Sequence, residues 1–113
     1  MNKRIAARHN AGKTEWCLMP LEAIEPIVRV LSFGARKYAP DNWKLGNPWT
    51  DTYNSLIRHL VAWRDGEDQD PETGELHLAH IGCNVVFLLM YHLKGWGTDD
   101  RKAPILRNKE NKR

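Results

Sequence analysis

The sequence lacks any apolar run long enough to cross a lipid bilayer. Its longest run, 85–90, is far shorter than the roughly 20 apolar residues that a membrane-spanning helix needs. The first 15 residues, MNKRIAARHNAGKTE, carry charges but no apolar segment of the kind found in secretory signals. These absences argue against a membrane or secreted protein, and we expect a cytosolic one.

Cysteine is scarce as well, because the chain has only two, Cys17 and Cys83. Two cysteines form neither the framework of spaced pairs found in disulfide-rich secreted domains nor the cysteine spacing of a structural zinc site. Cys83 lies in an apolar, helix-like run, where a free cysteine commonly packs as a small hydrophobic side chain. We therefore expect a reducing compartment and no cysteine nucleophile.

The formal net charge of +3 hides a strong asymmetry along the chain. Residues 1–14 carry four Lys or Arg and no acid, and residues 101–113 carry six against one Glu. The segment 15–100 has 7 basic residues against 13 acidic ones. Short basic ends are more often solubilising than nucleic-acid-binding, so nucleic acid is not an expected partner. The acidic body suits a site that holds cations.

Hydrophobic periodicity and turn residues predict three helices. The first begins near Pro20 and ends at Gly34 or shortly after it, with an early kink or a late start because of Pro26. The second covers about 49–65 and the third about 75–94. Neither an internal repeat nor a low-complexity segment is present.

The third predicted helix is apolar nearly all round, which is typical of a buried or interfacial helix. Three helices in a chain of 113 residues do not bury such a surface alone. We therefore expect an all-α fold, a small helical bundle of about three main helices that is completed by homo-oligomerisation as a homodimer or larger assembly. The predicted domains are a flexible basic arm over 1–15, one helical domain over 16–96 and a polar basic tail over 97–113.

Polar side chains interrupt the apolar third helix at His77, His80 and Asn84. Residues three and four apart share one face of a helix, so the three form a single stripe. His59 lies among apolar residues of the second helix. Burying an imidazole or an amide without a partner costs on the order of 1 to 3 kcal/mol. We therefore expect another part of the chain, or a ligand, to satisfy this stripe.

The loop between these two helices, 67–75, carries five carboxylates in nine residues. Two explanations remain open. In the structural one, Glu67 or Asp70 folds back to accept hydrogen bonds from His77 or His80. In the functional one, these four side chains bind a divalent cation. A mixed imidazole and carboxylate site would suit Mn²⁺, Co²⁺ or Zn²⁺, whereas an all-carboxylate site would suit Mg²⁺.

A second group of chemically versatile residues follows the first helix. Arg36 and Lys37 are cations suited to phosphate, Tyr38 and Trp43 are rings that can stack on a base, and the amide of Asn42 can pair with a base edge. Arg58 on the second helix is a further cation. The structural alternative is a loop that is pinned because Tyr38 and Trp43 pack into the core.

Together these pieces resemble the phage dATP/dGTP diphosphohydrolase domain, a family associated with the MazG-like, all-α nucleoside triphosphate pyrophosphohydrolases. The motifs that carry the resemblance are LSFGARKY at 31–38, NW at 42–43, RHL at 58–60, GED at 66–68, DPETG at 70–74 and HLAH through CN at 77–84. The resemblance covers about 16–92. It implies cleavage of a purine deoxynucleoside triphosphate to monophosphate and pyrophosphate, with a divalent metal, in the cytoplasm of a phage-infected bacterium.

The chain departs from the wider family at the metal site. All-α pyrophosphohydrolases typically bind Mg²⁺ through E-x-x-E on one helix and E-x-x-D on the next. Here the second helix has L-x-x-H ending at His59, and the third has H-x-x-H from 77 to 80. Carboxylates lie instead in the loop, or on the first helix at Glu22 and Glu25, which also suit a solvated helix start. Either the metal is held differently or the site does not catalyse.

The leading hypothesis is hydrolysis at the α-phosphorus of dGTP or dATP with Mg²⁺, Mn²⁺ or Co²⁺. The predicted site residues are His59 and Glu67 in catalysis; Arg36, Lys37, Tyr38, Asn42, Trp43, Arg58 and Asn84 in substrate binding; and Glu67, Asp70, His77 and His80 in metal binding. The first alternative is a non-catalytic phage protein that binds or sequesters a nucleotide. The second is a helical adaptor that binds another protein through its apolar third helix.

Overall fold

The computed structural model describes residues 6–7 and 11–102. It contains three main helices, α1 (Leu21–Lys37), α2 (Trp49–Arg64) and α3 (His77–Lys94), with short 3-10 turns at Trp16–Leu18 and Asn42–Leu45. No strand occurs in this part of the chain. The all-α prediction with three main helices is therefore confirmed. The predicted arm over 1–15 lies largely outside the described residues, and its structure stays a prediction.

Helix α1 begins directly after Pro20, as the sequence predicts. The alternative of a late start is wrong, because the helix runs continuously from Leu21 and includes Pro26 as its sixth residue. Proline has no N–H, so the carbonyl of Glu22 lacks its usual partner four residues on. Helix α1 also continues past Gly34 to Lys37, which brings Lys37 and Tyr38 to the end of the helix.

Helix α2 starts after Pro48 without a cap from a neighbouring side chain. Asp100 takes that role, because its carboxylate accepts from the Thr50 backbone N–H at 3.0 Å and from the Thr50 hydroxyl at 2.7 Å. A carboxylate at this end of a helix stabilises the unpaired N–H groups and the helix dipole. The first residues of the predicted tail, 97–102, thus include a contact to the start of α2; residues 103–113 lie outside the described part.

Two glycines let the loop before α2 cross the end of α3 at very short range. Gly46 has a φ of +87°, and a Cβ there would lie 2.5 Å from the Gly97 nitrogen. Gly97 has a φ of +74°, and a Cβ there would overlap the Asn47 carbonyl oxygen. Beside the crossing, the indole N–H of Trp49 donates to the Trp96 carbonyl oxygen at 2.9 Å. The loop is therefore fixed against the end of α3 by backbone contact.

The core of the single chain is small and lies between α1 and α3. Its buried members are Val30, Ala79 and Cys83, with Ile27, Leu31 and Phe87 packed against them. The two helices approach each other closely at Gly82, where a Cβ would lie 2.6 Å from Ile27 Cδ1. Burial raises the pKa of the Cys83 thiol to about 12, so this cysteine is a packing residue. Neither cysteine forms a disulfide.

One face of α3 is apolar but exposed. The residues concerned are Leu78, Val85, Leu89 and Leu93, which are 42–71% exposed. Their spacing of seven, four and four residues puts them on the same side of the helix. We call them the α3 stripe. None of the described helices is both long enough and apolar enough to span a membrane.

Candidate functional site

A cleft of about 1030 Å³ lies between the second half of α1, the loop that follows it, α2 and the start of α3. Nearly every residue that the sequence analysis selected lines this cleft. Those that do are Lys37, Tyr38, Asn42, Trp43, Arg58, His59, Glu67, Asp70, His77, His80 and Asn84. Arg36 is absent from the lining; it lies in the last turn of α1 and is exposed. The cleft has two chemically different sides.

The first side, the imidazole wall, consists of His59, Glu67, Asp70, Thr73, His77 and His80. His59 comes from α2, and the other two histidines lie in the first turn of α3. The Nδ1 atoms of His59 and His77 are 2.8 Å apart, and the rings of His59 and His80 stack at 4.3 Å between centroids. The sequence predicted the shared face of His77 and His80, but not the pairing of His77 with His59.

Glu67 fixes the proton position on His77. The Nε2–H of His77 donates to Glu67 Oε1 at 2.7 Å, because a carboxylate can only accept. In a neutral His77 ring the Nδ1 atom then carries a lone pair, so His59 donates its Nδ1–H to it. His77 is only 3% exposed, and this pair of contacts satisfies both of its nitrogens. The structural network that the sequence analysis considered, with Glu67 accepting from His77, is present.

The acidic loop holds its shape through Asp70 and Thr73. Asp70 Oδ1 accepts from the backbone N–H of Glu72 at 2.7 Å and of Thr73 at 3.2 Å. The Thr73 hydroxyl accepts from the Glu75 N–H at 3.1 Å and is hydrogen-bonded to His80 Nε2 at 2.8 Å. These contacts orient Asp70 and His80 toward the cleft. Thr73 could not be predicted as a site residue from the sequence, because its hydroxyl gains this role only once the loop is folded.

The electrostatics of this wall favour neutral rings at His59 and His80 beside an ionised Asp70. Burial lowers the pKa of His59 to about 4, with a further contribution from His80, although Asp70 acts in the opposite direction. Burial also lowers the pKa of His80. For Asp70, burial opposes ionisation, but the two backbone N–H donors of Glu72 and Thr73 and the nearby His80 outweigh it and lower the pKa below its ordinary value.

Donor atoms suited to a metal ion converge in the imidazole wall. One nitrogen of His59, one nitrogen of His77 and one carboxylate oxygen of Asp70 all lie within 4.8 Å of one another. The predicted ligand set was Glu67, Asp70, His77 and His80. In the structure Glu67 and His80 contact His77 and Thr73, respectively. The identity of the ligands stays a prediction.

The second side, the aromatic wall, consists of Tyr38, Asn42, Trp43, Lys44, Asn47 and Phe87. Trp43 stacks on Phe87 with ring centroids 4.7 Å apart, and its carbonyl oxygen accepts from the Tyr91 hydroxyl at 2.9 Å. Tyr91 is fully buried. The packing that the sequence analysis considered for Trp43 is therefore present, while Tyr38 is 65% exposed. Stacking of either ring on a base stays a prediction.

A smaller cavity of about 190 Å³ adjoins the aromatic wall. Its lining comprises Trp43, Asn47, Asp51, Thr52, Ser55, Asn84, Phe87 and Tyr91. Asn84 is buried here, and its amide donates to the Ser55 hydroxyl at 3.3 Å. Asn84 therefore faces α2 through a polar contact. Ser55 and Asn47 are lining residues that sequence reasoning missed, because nothing in the local pattern indicates how α2 and the loop before it meet α3.

Among the described residues, three cations line the cleft, and two of them are already paired. Lys37 lies 2.7 Å from Glu72, and Lys44 lies 3.3 Å from Asp41. Arg58 makes no ion pair within residues 11–102. The glutamates of α1 do not line the cleft, and Glu25 contacts Arg29 of its own helix at 3.5 Å.

The fold and the cleft define the class of protein: residues 11–102 form a small all-helical domain with a large, mixed-charge cleft. The profile of the family described as "dATP/dGTP diphosphohydrolase, N-terminal" matches residues 3–101. The chain belongs to this family, as the sequence resemblance predicted.

A curated relative is the "dATP/dGTP diphosphohydrolase" of Salmonella phage PMBT28, which is 28% identical over 95 residues. The alignment covers 84% of this chain and 32% of that protein. The chain thus spans about a third of the length of this relative. No solved structure matches the chain.

Proposed function

We propose that the chain binds a purine deoxynucleoside triphosphate in the cleft and hydrolyses it to the monophosphate and pyrophosphate. The observation that carries the proposal is the convergence of phosphate-suited, base-suited and metal-suited residues in one cleft of about 1030 Å³. This volume lies at the upper end of the range of small-molecule sites, about 300 to 1,000 Å³, so a nucleotide fits by size. The name of the phage relative supports the substrate class.

Arg58 is the residue best suited to hold phosphate. It lines the cleft, it is exposed, and it makes no ion pair among the described residues, so its guanidinium is available for a bidentate contact. Lys37 and Lys44 would first leave Glu72 and Asp41. Such exposed pairs are worth only about 0 to 1 kcal/mol, so exchanging them for a triphosphate costs little.

A divalent cation is part of the proposal. The carboxylates of Glu67, Asp70 and Glu72 line the cleft and would repel an anionic triphosphate. A cation held by the acidic and imidazole side chains would reverse that repulsion. When bound, it would stabilise negative charge on the departing pyrophosphate and lower the pKa of a nearby water.

The hydrolytic step needs one group that accepts a proton. The oxygen of a water molecule forms a bond to the α-phosphorus, and the bond from that phosphorus to the bridging oxygen breaks. Pyrophosphate leaves with the electron pair, and the proton of the water passes to a base. His59 and Glu67 remain the predicted candidates, and both are joined through His77 by hydrogen bonds of 2.8 and 2.7 Å.

The experiment that tests this proposal is release of pyrophosphate from dGTP and dATP with Mg²⁺, Mn²⁺ or Co²⁺. Arg58→Gln should lower kcat/KM by about 10- to 100-fold, because a charge-assisted hydrogen bond contributes about 1.5 to 3 kcal/mol. Arg64→Gln is the matched control, since Arg64 lies on the same helix but is absent from the cleft lining. Nucleotide binding without turnover under any of the three metals would overturn hydrolysis by this chain.

A second candidate is a nucleotide-binding module without hydrolytic activity. It is favoured because the chain spans only 32% of the phage relative, so the activity in that protein's name can reside in the remaining part. Calorimetric titration with dGTP, with and without EDTA, separates the two functions. Binding that EDTA does not change, together with absence of pyrophosphate release, supports the module; binding that requires metal and turnover supports the enzyme.

We also propose that two copies of the chain associate through the α3 stripe. The proposal rests on the exposure of Leu78, Val85, Leu89 and Leu93 along one face of α3, since apolar patches of this kind commonly mark interfaces. Sedimentation should give a dimer or larger assembly for the unmodified chain and a monomer for Leu89→Glu. Leu21→Glu, at an exposed leucine of α1, should leave the assembly intact. A monomeric unmodified chain would contradict the proposal.

A further inference from the structure

We propose that His59, Asp70 and His77 form a transition-metal site with two imidazole nitrogens and one carboxylate oxygen as ligands, and that this site selects Zn²⁺, Co²⁺ or Mn²⁺ over Mg²⁺. The inference deepens the proposed function, on which it rests for its role in the cleft, by naming the class of cation. As a statement about metal binding it is tested separately. It also gives His59 a different task from the general base that the sequence predicted.

The spacing of the three donor atoms suits a shared ion. All lie within 4.8 Å of one another, with 2.8 Å between the two Nδ1 atoms and 3.8 Å from His59 Nδ1 to Asp70 Oδ2. Metal to ligand distances of about 2.0 to 2.2 Å place neighbouring ligands about 3 to 3.5 Å apart. The two separations that involve His59 therefore need to change by only about half an ångström, and the separation between His77 and Asp70, which is within 4.8 Å, needs to shorten by at most about 1 to 2 Å. In the absence of an ion, the Nδ1 atoms of His59 and His77 are joined by a hydrogen bond.

At His77 and Asp70, the atoms that would not bind the ion are already held by other groups. Glu67 accepts the Nε2–H of His77, which leaves the Nδ1 lone pair of His77 directed at His59. Asp70 uses Oδ1 for two backbone N–H groups, and its other oxygen, Oδ2, is the one near His59. A carboxylate that orients a ligating histidine in this way is a recurrent feature of metal sites.

His80 supports the site from one side. Its ring stacks on His59 at 4.3 Å with an interplanar angle of 9°, and its Nε2 atom is engaged by Thr73. This contact restricts the orientation of the His59 ring. His80 is thus a positioning residue in this proposal, and its replacement should weaken metal binding less than replacement of His59 or His77.

The chemistry of the donors sets the choice of metal. Mg²⁺ prefers six oxygen ligands and keeps several waters, whereas imidazole nitrogen suits Zn²⁺, Co²⁺ and related ions. Three protein ligands leave at least one coordination position for a water or a phosphate oxygen. The side chains that would surround this position line the same cleft as Arg58. The site is therefore suited to an ion that contacts a phosphorylated ligand.

The test is metal binding by the full chain without nucleotide. Chelator-treated protein is titrated with Zn²⁺ and Mg²⁺ by calorimetry, and with Co²⁺ by its visible absorption. We expect one Zn²⁺ or Co²⁺ per chain, at least 100-fold tighter binding of Zn²⁺ than of Mg²⁺, and a cobalt spectrum that indicates nitrogen ligands. Equal affinities for Zn²⁺ and Mg²⁺, or a spectrum of cobalt bound by oxygen alone, would overturn the inference.

Variants identify the ligands. His59→Ala and Asp70→Asn should weaken Zn²⁺ binding at least tenfold, while His92→Ala, on α3 outside the cleft lining, should not change it. His77 is buried, so His77→Ala is interpreted only if circular dichroism shows a folded chain; Asp70→Asn preserves shape and decides the matter if it does not. Equal loss in His92→Ala, or none in Asp70→Asn and His59→Ala, contradicts the ligand set.

The two proposals fail in different ways. Tight Zn²⁺ binding without nucleotide binding would support the proposed metal site and contradict the proposed function. The opposite outcome is also possible to detect: the unmodified chain hydrolyses dGTP with Mg²⁺ but binds Zn²⁺ no more tightly than His59→Ala does. That result would support the proposed function and contradict the proposed metal site.

Discussion

The imidazole wall and the aromatic wall face the same cleft but are held by different forces. Directional hydrogen bonds fix the first, from His77 to Glu67 and between Thr73 and His80. Ring stacking between Trp43 and Phe87 fixes the second, together with the backbone crossing at Gly97. The imidazole wall should therefore respond to protons, and the aromatic wall to changes of volume.

Removal of a ring should produce the largest effect, in the aromatic wall. Trp43→Ala deletes the stacking on Phe87 and leaves a space beside buried Tyr91. Large-to-small changes of aromatic residues cost about 3 to 5 kcal/mol in full cores, and we expect about 3 kcal/mol for this half-buried side chain. Urea unfolding measures it. Trp16→Ala, at a tryptophan that is 82% exposed, should change stability little; equal losses would show that the wall is not held by packing.

The backbone crossing gives the next effect. Gly95 and Gly97 have φ values of +71° and +74°, so alanine at either position should cost about 1 to 2 kcal/mol of left-handed strain. Only at Gly97 does a Cβ also meet another group, the carbonyl of Asn47. Gly97→Ala should therefore lower the free energy of unfolding by about 1 kcal/mol more than Gly95→Ala. Identical thermal unfolding of Gly97→Ala and Gly95→Ala would show that the backbone crossing does not contribute to stability.

The imidazole wall should show the smallest effect, and only on acidification. The pKa of His59 is about 4 in the folded chain, against an ordinary value of 6.5. Below pH 6.5 the unfolded chain gains a proton that folded His59 does not, so stability falls as pH drops from 7 to 5, by about 1 to 2 kcal/mol in metal-free protein. The pKa of Asp70 is lowered from 3.8. The stability that its ionised carboxylate contributes is therefore lost only as the pH falls below this range.

His59→Gln should remove much of this pH dependence, while His92→Gln should retain it. Urea unfolding in EDTA at pH 7 and at pH 5 gives the comparison. An unchanged slope in His59→Gln would mean that the imidazole wall is not the source of acid sensitivity.

Sequence reasoning predicted the helices well because their signals are local. Pro20, Pro48 and Gly66 mark ends that periodicity alone leaves open, and α2 was predicted within one residue of its bounds. The contact of Asp100 with Thr50 was not predicted, because it joins residues 50 apart in the sequence. Such a contact depends on how the chain returns after α3.

The site could be predicted as a set of residues but not as a set of contacts. The interval from His77 to His80 fixes a shared helix face, which local geometry guarantees. The pairing of His59 with His77 depends on the register between α2 and α3, which no single helix encodes. Of Arg36 and Lys37, only Lys37 lines the cleft. The reason is simpler here, because the side chains of neighbouring residues on a helix point about 100° apart.

Gly82, where α1 packs closely against α3, has a consequence for the cleft. Helix α1 carries Lys37 at one rim of the cleft, and α3 carries His77 and His80 at the other. A methyl group at position 82 would push α1 and α3 apart unless the Ile27 side chain adopted another rotamer. A substitution at position 82 would thus change the spacing of the two helices from a position that is absent from the cleft lining.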